Sequence, residues 1–143
     1  MWELQKQIRI YIAAKRPDDR SHLVDSMIMD GFDATAFASA DELWQCFQLR
    51  PARIVMTERR FDYGMAGLDL VARVRQQQPW PYVYVIVTSA MNRMEEIEQG
   101  LEAGVDDYLL KPFNPIQLRA RALVALRWLS YLDSLAKSED AAP

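Results

Sequence analysis

A chain of 143 residues, half of them apolar, is long enough to build one domain with its own core. A net charge of −3 argues against direct nucleic-acid binding by this domain. With no apolar run near the length of a membrane span and no signal-peptide pattern in MWELQKQ, a soluble cytoplasmic protein is expected.

One cysteine, Cys46, rules out a disulfide within the chain. One histidine, His22, leaves no Cys/His cluster for zinc. Residues 8–14, IRIYIAA, read as a buried strand. RPDDR is expected to turn, its aspartates capping a helix over SHLVDSMIMDGF that buries Leu23, Val24, Met27 and Ile28 and stops at Gly31. FDATAFAS is a second strand. SADELWQCFQL is a helix capped by Ser39, with Glu42 three residues on as in a capping box. Residues 52–58 form a third strand and RRFDYGMAG a loop. LDLVARVRQQ is a helix with Leu68, Val71 and Ala72 on one side. PYVYVIVTSA is the fourth and most hydrophobic strand. NRMEEIEQGLEAG is a helix with Met94, Ile97 and Leu101 on one side and acids on the other. DYLL is the fifth strand. The last helix opens with Asn114 as cap and Pro115 at the first helical position. From Pro115 to Leu135 it would span about 30 Å. SEDAAP reads as a polar tail, with a linker candidate after Leu135.

Five continuous apolar strands alternating with five helices predict a parallel sheet covered on both faces. The working site of such a sheet lies beyond the carboxyl ends of its strands. There the stretch GVDDYLLKPF runs a short apolar strand straight into Lys111. An ammonium at the buried end of a strand is costly unless an anion faces it.

The segment EAGVDDYLLKPFNPIQLRARALVALR, with VIVTSA and PARIVMTERRFDYGMAGLDLVARVR before it, resembles the receiver domain of bacterial two-component response regulators. The resemblance covers residues 8 to about 130. Its C-terminal segment is most similar to the winged-helix (OmpR/PhoB-like) subfamily, and its site is that of a degenerate pseudo-receiver. It implies a flavodoxin-like doubly wound α/β fold: a five-stranded parallel sheet in the order 2-1-3-4-5 with five helices. Residues 1–130 would be the receiver domain, and 131–143 the end of the last helix and a polar tail or linker.

The family's chemistry is phosphoryl transfer to a carboxylate after the third strand, assisted by Mg²⁺ on two acids after the first. By resemblance, Lys111 is the phosphate-pairing lysine, Ser89 the switch hydroxyl and Tyr108 the switch aromatic, with a cis bond before Pro112. The acids are not kept: Ala14 and Lys15 stand in their places. Thr57 is favoured at the phosphoacceptor position, with Glu58 one residue away as the alternative. Thr57 cannot form an acyl phosphate, and Glu58 would hold its carboxylate one methylene too far out. Lys15 would repel Mg²⁺, so neither metal nor other cofactor is expected, and no catalytic residue. A register that brings Asp18 and Asp19 into the acid positions is unattractive, because it shortens the first helix by a turn. Lys111 is therefore expected to face Thr57 and Ser89, with Glu58 as a further candidate.

In the last helix Leu118, Ala122, Ala125, Leu129 and Leu132 line one side, and Ile116, Ala120, Leu123 and Val124 another. Two apolar stripes on one helix imply that one is covered by a partner. The resemblance implies a homodimer through the fourth helix, fifth strand and last helix. Asp107 and Arg121 would bridge that face, and Ala125, Leu129 and Leu132 would contribute to it. Ile97, Gln117 and Trp128 occupy positions where the subfamily carries charges. The leading reading is a phosphorylation-independent interaction and dimerisation module with an output domain or partner protein. The alternatives are a receiver that binds a small anion or nucleotide, through the degenerate pocket or Arg59 and Arg60, and an orthodox phosphoacceptor with an unusual site. An enzyme on the same scaffold lacks a nucleophile–base pair and a Gly-rich phosphate loop in this sequence.

Overall fold

The computed structural model describes residues 8–77, 81–90 and 93–141. In chain order the elements are β1 (Arg9–Ala13), α1 (Pro17–Met29), β2 (Asp33–Phe37), α2 (Ala40–Leu49), β3 (Ile54–Glu58), α3 (Gly67–Gln77), β4 (Tyr84–Ser89), α4 (Met94–Ala103), β5 (Asp107–Leu110) and α5 (Pro115–Ala141). The strands form one parallel sheet in the order β2-β1-β3-β4-β5. That is the doubly wound, flavodoxin-like topology expected from the sequence.

Strand alternation sends side chains into two separate apolar layers. Ile10, Ile12, Met56 and Ile86 face α1 and α5, where Leu23, Met27, Leu118, Ala122 and Leu126 cover them. Tyr11, Val55, Val85 and Val87 face α2 and α3, where Leu43, Phe47, Leu70, Val71 and Val74 cover them. Because both faces are covered, the register of β3 could not be read from polarity alone.

Several local expectations need correction. RPDDR is not a turn: Arg16 is the extended N-cap, Pro17 opens the helix, and Asp18 and Asp19 sit in its first turn. Proline suits that position because its missing N–H is unpaired there anyway, and the aspartates suit the positive helix end. Ile28 is exposed, while Leu23 and Met27 alone fill the buried stripe of α1. In α3 the buried side is Leu70, Val71 and Val74, with Leu68 and Ala72 only half-buried. In α4 Met94 and Leu101 point to solvent, and only Gly100 is buried. Asn92, where that helix was expected to begin, lies outside the described residues.

The caps hold. Ser39 Oγ accepts from Glu42 N at 3.2 Å, and the Glu42 carboxylate accepts from Ala38 N at 3.0 Å. Asn114 Oδ1 accepts from Ile116 N at 2.8 Å, satisfying one of the free donors at the start of α5.

The segment after Leu135 is helical to Ala141 rather than a polar tail. At 27 residues, α5 is about 40 Å long. Arg53 ties it to the foot of the sheet through a two-pronged pair with Asp133, at 3.1 and 3.0 Å.

Candidate functional site

β1, β3, β4 and β5 end together at one edge of the sheet, and the loops that follow them form a cavity of about 210 Å³. Lys15, Glu58, Arg59, Arg60, Thr88, Ser89, Ala90, Glu96 and Lys111 line it. The α3 N-terminus can close on the end of β3 because residue 67 is glycine. A Cβ there would sit 1.9 Å from the Glu58 carbonyl oxygen.

Lys111 leaves β5 at this edge, its peptide with Pro112 cis as the resemblance implied. Its ammonium does not face Thr57. It donates to Glu58 Oε1 and lies 3.2 Å from Asp19 Oδ2. Glu58 is 5% exposed, and its second oxygen accepts the Lys15 backbone N–H at 2.6 Å. Both carboxylate oxygens are thus occupied. Burial works against the Lys111 ammonium, but the bonds and charges of Glu58 and Asp19 outweigh it and hold its pKa above the ordinary lysine value.

The favoured placing of Thr57 is therefore corrected. Thr57 is fully buried, and its hydroxyl turns back to donate to the Glu58 carbonyl at 2.9 Å. Glu58, one residue on, points the other way across the pleat and takes the place in front of the lysine. Asp19, set aside in the sequence because its register would shorten the first helix, does reach the site. It reaches the lysine because α1 starts at Pro17, which puts the second of the two aspartates above the sheet edge.

Ala14 is buried and presents no ligand atom but its carbonyl, which accepts Arg20 Nη1 at 2.8 Å. The Lys15 ammonium turns outward to Asp62, 4.0 Å away and largely exposed. Ser89 ends β4 half-buried, and its carbonyl accepts the Lys111 N–H at 2.9 Å. The donor set does not suit Mg²⁺ at the family's place: one position is a methyl, the next a cation, and the two nearby carboxylates are already on Lys111. Among the described residues no group of three or more His, Cys, Asp or Glu side chains gathers as a metal site.

Tyr108 is tied to α4. Tyr108 donates from its hydroxyl to the Glu96 carbonyl at 3.1 Å, and that carbonyl also accepts Arg59 Nη1 at 2.9 Å. Arg59 also donates to Gln99 Oε1, and Arg60 pairs with the Glu96 carboxylate at 3.1 Å. Burial raises the Tyr108 phenol pKa, with Arg59 acting against it.

Asp107 and Arg121 meet within one chain, at 3.6 Å. Ala125 and Leu129 are not surface contacts: they are 0% and 1% exposed, packed with Leu118 and Leu126 in the domain's own core. Leu132 is half-buried. The large apolar side chains exposed on α5, among the described residues, are instead Ile116, Val124, Trp128, Tyr131 and Leu135.

A five-stranded 2-1-3-4-5 sheet with a lysine and a hydroxyl at its carboxyl edge defines the receiver class. The chain belongs to the response regulator receiver domain family, whose profile matches residues 10–123. It is 35% identical over 121 residues to the transcriptional regulatory protein PrrA of Mycobacterium tuberculosis, covering 83% of this chain and 50% of that protein. It is 32% identical over 111 residues to the transcriptional regulatory protein KdpE of Staphylococcus aureus, covering 75% and 45%. The chain thus spans half or less of the length of these curated relatives. Among solved structures, NtrX of Brucella abortus in complex with ATP aligns with a TM-score of 0.83 at 20% identity, over 90% of this chain and 29% of that one. The chemotaxis protein CheY4 of Vibrio cholerae aligns at 0.75 and 18% identity, over 83% and 98%. These two likenesses carry the fold. Among the described residues no helix is long and apolar enough to cross a membrane.

Proposed function

We propose that this receiver domain acts without phosphoryl transfer, as an interaction and dimerisation module of a two-component regulator. The observation that carries this reading is the Lys111 ammonium, neutralised from within by Glu58 and Asp19. A buried charge satisfied this way does not need a phosphoryl group to settle it. With Ala14 and Lys15 in place of acids, no cluster of acids among the described residues gathers the positive metal charge that stabilises a transferring phosphoryl group.

The junction of Arg59, Glu96 and Tyr108 supports a fixed signalling state. It joins the end of β3 to α4 and β5 directly, where an orthodox receiver would couple them through phosphate. The face that this junction positions mixes apolar and charged side chains. Ile97, Leu101, Tyr108, Leu109 and Leu110, together with Asp106, Asp107, Gln117 and Arg121, line a groove of about 380 Å³ between α4, β5 and α5. Exposed Ile116, Val124 and Trp128 extend the face along α5. A second copy is the partner this face is proposed to take. The greater length of the curated relatives makes an output domain or partner protein the proposed receiver of the signal.

Incubation with acetyl phosphate and Mg²⁺, followed by intact-mass measurement, tests the reading. An unchanged mass is expected. A stoichiometric, hydroxylamine-sensitive phosphoryl adduct would restore the orthodox phosphoacceptor.

A further inference from the structure

At the foot of the sheet, away from the lysine cavity, a chain of polar contacts runs from α5 to α4. Asp133 on α5 takes the fork of Arg53, the residue before β3, at 3.1 and 3.0 Å. Arg53 Nε donates at 3.1 Å to the carbonyl of Tyr82. The Tyr82 hydroxyl donates to Asp106 Oδ1. Asp106 Oδ2 accepts Arg75 Nη2 at 2.7 Å and the Val85 N–H at 2.8 Å. Arg75, on α3, lies over the Tyr82 ring, 4.6 Å from its centroid. It also donates twice to the carbonyl of Gly104, at 3.0 and 2.6 Å. Gly104 is the left-handed C-cap of α4.

Arg53, Arg75, Tyr82, Asp106 and Asp133 are all half-buried, so water competes for them less than on an open surface. The Arg53–Asp133 fork fixes direction as well as distance. The two ends of the chain are the places where packing is thin. Leu129 is the last α5 residue in the buried core, and Asp133 stands one turn further along the same side. Beyond it Ser134, Leu135, Lys137 and Ser138 are exposed. Residues 134–141 are too few to hold themselves as a helix in water. In α4 only Gly100 is buried, so apolar contacts do little to fix its C-terminal turn. A polar tie holds each end, and the two ties meet at Tyr82.

We propose that these five residues form a brace that couples the distal end of α5 to the C-terminal turn of α4, so that loosening one end loosens the other. The brace goes beyond the dimerisation reading, because every bond in it lies within one chain. Tyr82 and Asp106 also line, with Tyr84, Val124 and Trp128, a cavity of about 330 Å³ beside α5. A partner that covers this cavity touches the middle of the brace and is felt at both helices. That route runs through the foot of the sheet and bypasses the cavity at its carboxyl edge.

The test is hydrogen exchange read by mass spectrometry, at two protein concentrations so that protection by association is separated out. Asp133→Asn weakens the Arg53 fork at nearly constant helix propensity. Tyr82→Phe removes only the hydroxyl bond to Asp106 and leaves the carbonyl that Arg53 uses. Asp133→Asn should speed exchange about tenfold in residues 134–141 and, to a smaller extent, at 104–106. Tyr82→Phe should speed it about tenfold at 104–106 and, to a smaller extent, in 134–141, although Tyr82 lies in neither segment. Exchange in β1 and β3 should stay unchanged in both variants. The double variant should go little beyond the larger single effect at each end, as coupled residues do. Effects confined to the end that each variant touches, and adding in the double variant, overturn the proposal. Exchange unmoved by Asp133→Asn overturns it as well.

Discussion

The carboxylate of Glu58 and the ammonium of Lys111 pair across the carboxyl edge of the sheet, with Glu58 only 5% exposed. The pair joins the last residue of β3 to the residue after β5, and Asp19 adds a second carboxylate from α1. Three elements therefore meet on one ammonium. Lys111→Met should leave Glu58 buried with only the Lys15 N–H as partner, at a cost of about 1–3 kcal/mol. The double variant Lys111→Met with Glu58→Gln should recover part of that loss, because the uncompensated charge is gone. Urea denaturation of the two single variants and the double variant measures this coupling. Additive effects would show that the pair does not interact.

Alkaline pH should weaken the fold through groups that hold their protons longer when folded. The Lys111 pKa is raised, so its contribution is complete below the unfolded value of about 10.4 and is lost as pH rises through the folded value. Tyr82 is pushed up to about 12 by burial and by its bond to Asp106. Tyr11 is pushed up to about 12 by burial and by Cys46. Above about pH 10 the unfolded chain binds fewer protons at these residues than the folded one, so stability must fall with pH. The urea midpoint is expected to hold steady to about pH 10 and then drop. Tyr82→Phe should flatten part of the drop, and a midpoint that rises above pH 10 would contradict the assignment.

The seat of Tyr108 depends on glycine at position 100. A Cβ there would lie 1.5 Å from the Tyr108 hydroxyl. On helix propensity alone Gly100→Ala should stabilise α4 by about 1 kcal/mol. The clash should instead destabilise the domain by about 1–3 kcal/mol, or drive Tyr108 out of its place. Combining Gly100→Ala with Tyr108→Ala should recover the helix gain. Thermal denaturation of the three variants decides the sign.

The sheet, its order and the helix caps were legible in the sequence because continuous apolar strands, Ser39–Glu42 and Asn114–Pro115 each state their local physics plainly. Of the cavity lining, Lys111 and Ser89 were legible in the sequence. The choice between Thr57 and Glu58 was not, because a strand covered on both faces carries no alternation that sets its register. Asp19 was set aside because the first helix was expected to begin later than it does. RPDDR carries turn-forming residues, but Pro17 is equally suited to open a helix, and only the helical start brings the aspartate over the sheet edge. The stripes of α5 were both visible. Which one faces the sheet depends on the docking of the helix as a whole, and that placed Ala125 and Leu129 inside.

That docking changes how dimerisation should be tested. Leu129 is 1% exposed in the domain's own core, so Leu129→Glu is expected to unfold the chain rather than to yield a monomer. A large core substitution of this kind costs several kcal/mol, a substantial share of a small domain's stability. The apolar surface open to a second copy lies on the neighbouring side of α5, at Val124, Trp128, Tyr131 and Leu135, and on α4 and β5 at Leu101 and Leu110. Trp128 and Tyr131 stack on each other with ring centroids 6.0 Å apart, so the pair offers one broad aromatic plate. Aromatic side chains are the usual anchors of protein interfaces, and covering such a plate is expected to dominate the association energy. The Asp107–Arg121 pair closes within the chain and Arg121 is half-exposed, so Arg121→Ala should change dimerisation by at most about 1 kcal/mol. Trp128→Glu combined with Leu101→Glu should instead give a folded monomer, with an unchanged circular dichroism spectrum and half the sedimenting mass of the wild type at micromolar concentration. A wild-type chain that sediments as a monomer, with the same mass as this variant, would remove dimerisation from the proposed function and leave the face to a different partner.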